Sequence, residues 1–376
     1  MIRLISLFSA GLMLLFMGGC YDFRGMDAIN IVSGIAVDRE GDDFLLTLEI
    51  VDLSSDSNTS GSETNLVDAR GPTIFEAVRS SKLHLYNKLY FGNMHTIIIS
   101  RQLAEDHGVT ELLEVFLRDV EPREDISILV SMEDSARALI EAKGIDTSNI
   151  CLELRKIIQE DKNVASNTKS MDLYQAYNTL NTPGKELVLP AFHLTGSEGE
   201  EIAEVSGIGI FKDDVLTGFL PSADMRFFLL AEDNGAKGAL SVPSAQSGDH
   251  LLSFEIYDSK HKASLSYENG SLTINTEIDI DLAVTENHPI DETEIPQEDM
   301  IKSVEEFLQQ RIEEVFTELQ KDPGSDIYGY GEMIFEDQYS LWQKIGDDWD
   351  QIFKEAQMNV KVNARIINTG LSRKGG

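Results

Sequence analysis

The sequence predicts an α+β fold of mixed, largely antiparallel sheets flanked by helices and divided into three domains. Three observations carry this expectation. Short runs rich in β-branched residues alternate apolar and polar positions at period two, segments between several of them repeat apolar residues at i, i+3, i+4, and one long stretch over 297–321 keeps helical spacing throughout. The 376 residues are 42% hydrophobic and 26% charged, enough for packed cores in two or three domains. With 65 acidic against 31 basic residues the net charge is −34, which repels nucleic-acid phosphates and anionic lipid head groups alike. Nucleic acid is therefore not an expected partner, and any attachment to a membrane has to be hydrophobic or covalent.

The N-terminus supplies such an attachment. Met1-Ile2-Arg3 is a short positive start, and the apolar run Leu4 to Phe16, about 13 residues, matches the core of a secretory signal peptide. A membrane-spanning helix needs about 20 apolar residues, so this run is short for an uncleaved anchor. It ends at Met17-Gly18-Gly19-Cys20, where small residues precede a thiol that diacylglycerol can alkylate. Residues 1–19 are thus expected to be removed and Cys20 to carry the lipid, with acylation of its amino group left open. Two acyl chains on one cysteine give stable anchoring where a single chain does not. With Cys20 lipidated, Cys151 is the second of two cysteines and no internal disulfide forms. Its apolar neighbours, Ile150 and Leu152, mark it as a buried structural thiol.

Along the mature chain, strands at 29–37 and 44–51 form a hairpin through an acidic turn, 38–43, that lacks the ligand spacing of a calcium loop. Gly71-Pro72-Thr73 opens a helix running to about 86. A strand at 96–99, a helix at 104–118, a strand at 126–130 and a helix at 133–142 follow, and their alternation indicates helices covering a sheet. The polar run 162–170 reads as a flexible connection, 171–180 as a short helix, and the Gly/Glu run 195–201 as the main linker. These divide the chain into an N-terminal α/β domain over 20–145, a middle region over 146–200 and a C-terminal α+β domain over 201–372. In the last, strands at 204–211 and 215–220 and a helical run at 225–231 precede two alternating strands around Asn269-Gly270, a strong hairpin signal. Asp279 and Asp281 share the water-facing row of the second strand. The helix at 297–321 stops at Asp322-Pro323-Gly324, and Val360, Val362, Ala364 and Ile366 form a last strand, expected to complete an antiparallel sheet.

No chemistry-bearing motif emerges. Gly207-Ile208-Gly209 and Gly329-Tyr330-Gly331 are fragments of a nucleotide-binding pattern and read as turns or close packing. The seven histidines are scattered, and His84, His95 and His107 lack metal-ligand spacing on one element. No catalytic residue, cofactor site or metal site is expected. Asp326-Ile327-Tyr328-Gly329-Tyr330-Gly331, followed by Trp342 and Trp349, gathers aromatics that either form a recognition surface or, at the near-helical spacing of Trp342, Trp349 and Phe353, lock a helix onto the domain.

These features together resemble the Ger(x)C family of spore germination lipoproteins, the C subunits of germinant receptors. The resemblance rests on Gly19-Cys20-Tyr21-Asp22, with Tyr where the family commonly has Trp, on Val32-Ser33-Gly34-Ile35-Ala36-Val37-Asp38, and on Phe116-Leu117-Arg118-Asp119-Val120-Glu121-Pro122-Arg123. It continues in Gly209-Ile210-Phe211-Lys212 with Leu216-Thr217-Gly218, in Asp326 to Gly331, and in Trp342 and Trp349. It implies three mixed α/β domains, no enzymatic activity, lipid on Cys20, a place on the outer surface of the spore's inner membrane, and A-type and B-type receptor subunits as partners. Two other classes remain open at this point: a membrane-tethered lipoprotein that captures a nutrient itself, and a tethered hydrolase.

Overall fold

The computed structural model describes residues 28–53, 63–118, 121–197, 199–232, 235–244, 247–287 and 295–368. Cys20 and the signal segment 1–19 lie outside the described residues.

β1 (Ile29–Glu40) and β2 (Asp43–Val51) form the expected hairpin, and β3 (Thr64–Gly71) adds to β2 antiparallel. α1 (Ile74–Ser80) starts at Thr73, whose hydroxyl accepts from the Glu76 amide at 3.1 Å, and gives way to a 3₁₀ turn, Ser81–Leu83. The helix anticipated to residue 86 is therefore shorter. The chain instead runs into β4 (Lys88–Tyr90), which pairs parallel with the beginning of β1. β5 (Thr96–Ser100) and β6 (Ser127–Ser131) are buried at every position, as parallel strands covered on both faces must be. Between them, the helix expected over 104–118 is two: α2 (Arg101–Asp106) and α3 (Thr110–Arg118). Gly108 at φ +74° breaks it, and the freed Val109 amide donates to the Asp214 carbonyl at 3.0 Å.

α4 (Ala136–Ile140), α5 (Ile150–Val164) and α6 (Leu173–Leu180) lead to β7 (Val188–Thr195), followed antiparallel by β8 (Ile202–Lys212) and β9 (Val215–Pro221). The path across the nine-stranded sheet is β3-β2-β1-β5-β6-β7-β8-β9, with β4 beside β1. Its period-two alternation is visible in the packing: Ala36, Ile98, Leu129 and Phe192 meet α4 and α5, while Ile35, Ile97 and Ile128 face the larger core. The polar run 162–170, expected to be flexible, is fastened. Asp161 accepts from the Asn167 and Thr168 amides at 2.7 and 2.9 Å, and the Thr168 hydroxyl donates to the Gly207 carbonyl at 2.7 Å. The boundaries drawn near 145 and 200 both fall within this sheet, since β6 pairs with β7 and β7 with β8 across them.

Beyond α7 (Ser222–Glu232), a second sheet of four strands runs β10 (Gly238–Ser244), β11 (Ser247–Glu268), β12 (Ser271–Asn287) and β13 (Gln357–Asn368). Asn269 and Gly270, both at positive φ, make the predicted turn between β11 and β12. α8 (Gln297–Lys321) buries Val304, Leu308, Ile312, Val315, Phe316 and Leu319, the stripe read from the sequence. β13 pairs with β12 parallel, not antiparallel. The reason is the return path: α8 and three short helices, α9 (Tyr330–Asp337), α10 (Tyr339–Ile345) and α11 (Trp349–Glu355), carry the chain back to the start of β12, the crossover that parallel strands require. Asp279 and Asp281 do face water, where they accept from Asn363 at 2.8 Å and Arg365 at 2.8 and 2.7 Å. One continuous core joins both sheets.

Gly34 shows how tightly α5 sits on the first sheet. A Cβ there would lie 2.3 Å from Cys151 Sγ and 2.7 Å from the Thr96 carbonyl oxygen. Gly34→Ala is expected to lower stability by about 1–3 kcal/mol, the usual range for overpacking, and thermal denaturation of the variant beside wild type would measure it.

Candidate functional site at the junction of the two sheets

The segment after α8 turns sharply around one side chain. Asp326 is 3% exposed. Its Oδ1 accepts from the amides of Gly329 and Tyr330 at 3.0 and 3.3 Å, and its Oδ2 from the Gly331 amide at 2.8 Å and the Trp349 indole N–H at 3.2 Å. The carboxylate thus holds the start of α9 and fixes α11 through its tryptophan. Its own carbonyl accepts from the Glu186 amide at 3.0 Å, which reaches the loop leading into β7 of the first sheet. Burial pushes the Asp326 carboxyl up to about 7, against the opposing pull of its four donors.

Two glycines let the halves meet backbone to backbone. A Cβ on Gly331 would lie 2.7 Å from Gly184 Cα and 2.7 Å from Trp349 Cε2, and the Glu332 amide donates to the Gly184 carbonyl at 2.9 Å. Around this contact Lys185 pairs with Glu332 at 2.9 Å, and Lys212 bridges Glu186 and Asp350, each at 2.5 Å. Tyr328 and Tyr330 stack at 5.3 Å beneath Phe316, and Trp342 and Trp349 pack at 5.7 Å. Of the two readings of this aromatic stretch, the geometry fits the packing one: Tyr328, Tyr330, Trp349 and Phe353 are buried. Sequence reasoning reached these aromatics and missed the aspartate. The available signal was the Asp-x-x-Gly-x-Gly spacing, which puts a carboxylate just ahead of backbone N–H groups that no Cβ shields.

Two clefts of the molecule hold polar groups that meet internal partners. One of about 290 Å³ is lined by Lys162, Lys169 and Lys185, yet Lys169 pairs with Glu232 at 2.6 Å and Lys185 with Glu332. Another, of about 520 Å³, lies beyond the C-terminal ends of β1 and β5, where ligands of open α/β sheets commonly bind. There Asp38 accepts from the Ala136 and Arg137 amides at 2.7 and 3.0 Å, so the donors at the start of α4 meet the chain's own carboxylate. Cys151 is buried, and desolvation first and Glu49 second raise its thiol far above the range of a reactive cysteine. Among the described residues no group of three His, Cys, Asp or Glu side chains could hold a metal ion. No helix of the described residues is long and apolar enough to cross a membrane. His84, His95 and His107 lie in three separate connections of the first sheet's half: after the 3₁₀ turn, before β5 and after α2.

Replacing Asp326 tests its role. Asp326→Ala leaves three backbone N–H groups and an indole N–H without their acceptor, and at about 1–3 kcal/mol for each unpaired buried donor the loss should reach at least about 4 kcal/mol in denaturant unfolding. The pH dependence has a defined sign. The folded carboxyl titrates near 7 and the unfolded one at 3.8, so between these values the folded chain retains a proton that the unfolded chain releases. This group therefore makes stability fall as pH rises from about 4 to about 7. The difference in unfolding free energy between wild type and Asp326→Asn, followed over that window, should narrow as pH rises.

Comparison with known proteins accounts for the whole of this architecture. Residues 22–194 match the family model for the spore germination protein N-terminal domain, and residues 206–370 match that for the spore germination B3/GerAC-like C-terminal region. Spore germination protein B3 of Bacillus subtilis is 25% identical over 95% of this chain and 96% of its own length. Spore germination protein A3 of the same organism is 23% identical over 98% of each chain, and spore germination protein KC 20% identical over 94% and 92%. The crystal structure of the GerBC protein superposes with a TM-score of 0.55 at 20% identity, covering 89% of this chain and 97% of that one. The first family model ends within β7 and the second begins within β8, while strand pairing continues between them. The chain is a member of the Ger(x)C family of spore germination proteins, and its role lies in spore germination.

Proposed function

We propose that this chain is the non-enzymatic C subunit of a nutrient-triggered spore germinant receptor, anchored by diacylglycerol on Cys20 to the outer surface of the spore's inner membrane. Its partners in this reading are an A-type subunit and a polytopic B-type subunit. The observation that carries the proposal is the near end-to-end correspondence with spore germination proteins B3, A3 and KC, joined to the Gly18-Gly19-Cys20 site behind an apolar run too short to span a bilayer. The interior supports a scaffold over a solute trap. Lys169, Lys185 and the start of α4, which could receive an anionic nutrient, are matched to Glu232, Glu332 and Asp38. The protein's distinctive chemistry is instead invested in fixing one half against the other.

Membrane fractionation of wild type and Cys20→Ala, with mass spectrometry of the N-terminal peptide and a germination assay on spores carrying each, tests the reading. A diacylglyceryl mass on Cys20, together with loss of membrane retention and of the nutrient response in the variant, is expected. An unmodified Cys20 with an intact response would overturn the anchor. Co-purification with co-expressed A-type and B-type subunits tests the partners, and a chain that remains alone beside them would overturn the receptor assignment. Thermal stabilisation by a single amino acid or sugar would favour direct nutrient capture instead.

A further inference from the structure

The segment Phe75 to Tyr90 departs from the rest of the molecule in both charge and exposure. It carries Arg79, Lys82 and Lys88 against Glu76 alone, in a chain whose acidic residues outnumber its basic ones 65 to 31. Its apolar side chains are also turned outward. Tyr86 is 94% exposed and Leu83 83% exposed, with Phe75 and neighbouring Leu53 at least half exposed. Ordinary folding gives no reason to present these groups to water together, and an exposed apolar surface of this kind marks an interaction site.

The structure also fixes this segment in place. The Lys82 ammonium donates to the Asn87 carbonyl, closing the loop from which Leu83 and Tyr86 project. Asn87 Nδ2 donates to Asn30 Oδ1 at 3.3 Å, and β4 pairs with Ile29, Asn30 and Ile31 of β1. Arg79 lies over the Phe75 ring at 4.9 Å, and Lys88 pairs with Glu121. The loop is therefore bound to the first residues of β1, the point at which the chain arrives from Cys20. Even fully extended, the chain from Cys20 to Ala28 spans at most about 30 Å.

We propose that the Phe75–Tyr90 segment, with Leu53 beside it, is a lipid-facing surface that seats this end of the protein in the interfacial layer of the bilayer. The proposal rests on the lipid anchor at Cys20 for the proximity of the membrane, and on the segment itself for the contact. Tyrosine and leucine beside lysine and arginine is the composition that settles at a bilayer interface, with rings and aliphatic groups at the head-group boundary and cations toward anionic phosphates. The tether delivers the surface, and the surface sets the orientation of the subunit.

A fluorescent probe at position 86 reads the contact directly. Full-length chain carrying Tyr86→Trp would be reconstituted into phosphatidylglycerol and phosphatidylethanolamine vesicles with and without brominated acyl chains. Tyr257→Trp, at an exposed position on β11, serves as the comparison. The emission added at position 86 should shift to shorter wavelength in vesicles and lose more than half its intensity with brominated lipid, while that at 257 should do neither. An unshifted, unquenched probe in chain that remains on the vesicles would overturn the proposal. Equal quenching at both positions would also overturn it, because the contact would then have no orientation. Protection that arises only on co-reconstitution with a polytopic receptor subunit would overturn the lipid assignment and give the surface to a protein partner. The mass of the N-terminal peptide separates the two readings: diacylglyceryl Cys20 with an unquenched probe removes this surface and keeps the anchor, and unmodified Cys20 with a quenched probe does the reverse.

Discussion

A buried carboxylate accepting hydrogen bonds from backbone N–H groups is the interaction on which this molecule is repeatedly built. Asp38 receives the start of α4, and Glu49 receives the Ile150 and Cys151 amides at the start of α5 at 2.8 and 3.1 Å. Glu153 gathers the amides of Ile145, Asp146 and Thr147, Asp161 those of Asn167 and Thr168, and Asp326 those of Gly329, Tyr330 and Gly331. These five are buried, and each closes a loop or helix start that would otherwise leave N–H groups unpaired. An acid without such donors would be neutralised or expelled, so their positions are fixed by the backbone around them. Desolvation raises Asp38, Asp161 and Asp326, and the accepted hydrogen bonds oppose it in each case.

The turn that Asp326 holds is also where the two sheets' halves meet. Strand pairing stops at β9, and the second sheet begins again at β10. What crosses between them is side-chain core and the Asp326 turn, with the Gly184–Gly331 approach leaving no space for a Cβ on either chain. A movement of one half against the other has to break the backbone hydrogen bonds from Glu186 to the Asp326 carbonyl and from Glu332 to the Gly184 carbonyl, and the Lys185–Glu332 and Lys212–Asp350 ion pairs.

Some of this was legible in the sequence. Wherever periodicity was long and unbroken the reading succeeded, as in α8, whose bounds and buried stripe coincide with the expectation, and at the Asn269-Gly270 turn. Errors arose where tertiary partners decide. Gly108 splits a continuous apolar pattern because Asp214 is available to receive the Val109 amide and, through its carboxylate, the Thr110 amide at 3.3 Å. β4 is three residues long, below the reach of any period. The direction of β13 depends on the route of the intervening helices, which alternation within the strand does not encode. Asp326 escaped because its role is carried by backbone N–H groups, which every residue but proline possesses.

If the chain is anchored through Cys20 as proposed, net charge alone is a poor guide to how it would meet a membrane. At physiological ionic strength electrostatic interactions between exposed charges fade over about 8 Å, a distance far shorter than a folded body of this size. Acidic residues remote from the tethered end are therefore screened from the lipid head groups, and the repulsion implied by a charge of −34 applies only to what stands near the surface. Near the entry of β1 the segment 75–90 carries Arg79 and Lys82 against Glu76, with Lys88 paired to Glu121, so the local excess of acid is absent there. An acidic exterior and a weakly basic, aromatic contact surface are thus compatible in one protein. Under the proposed anchoring, the first would keep the bulk of the molecule off the bilayer and the second would turn the Cys20 end toward it.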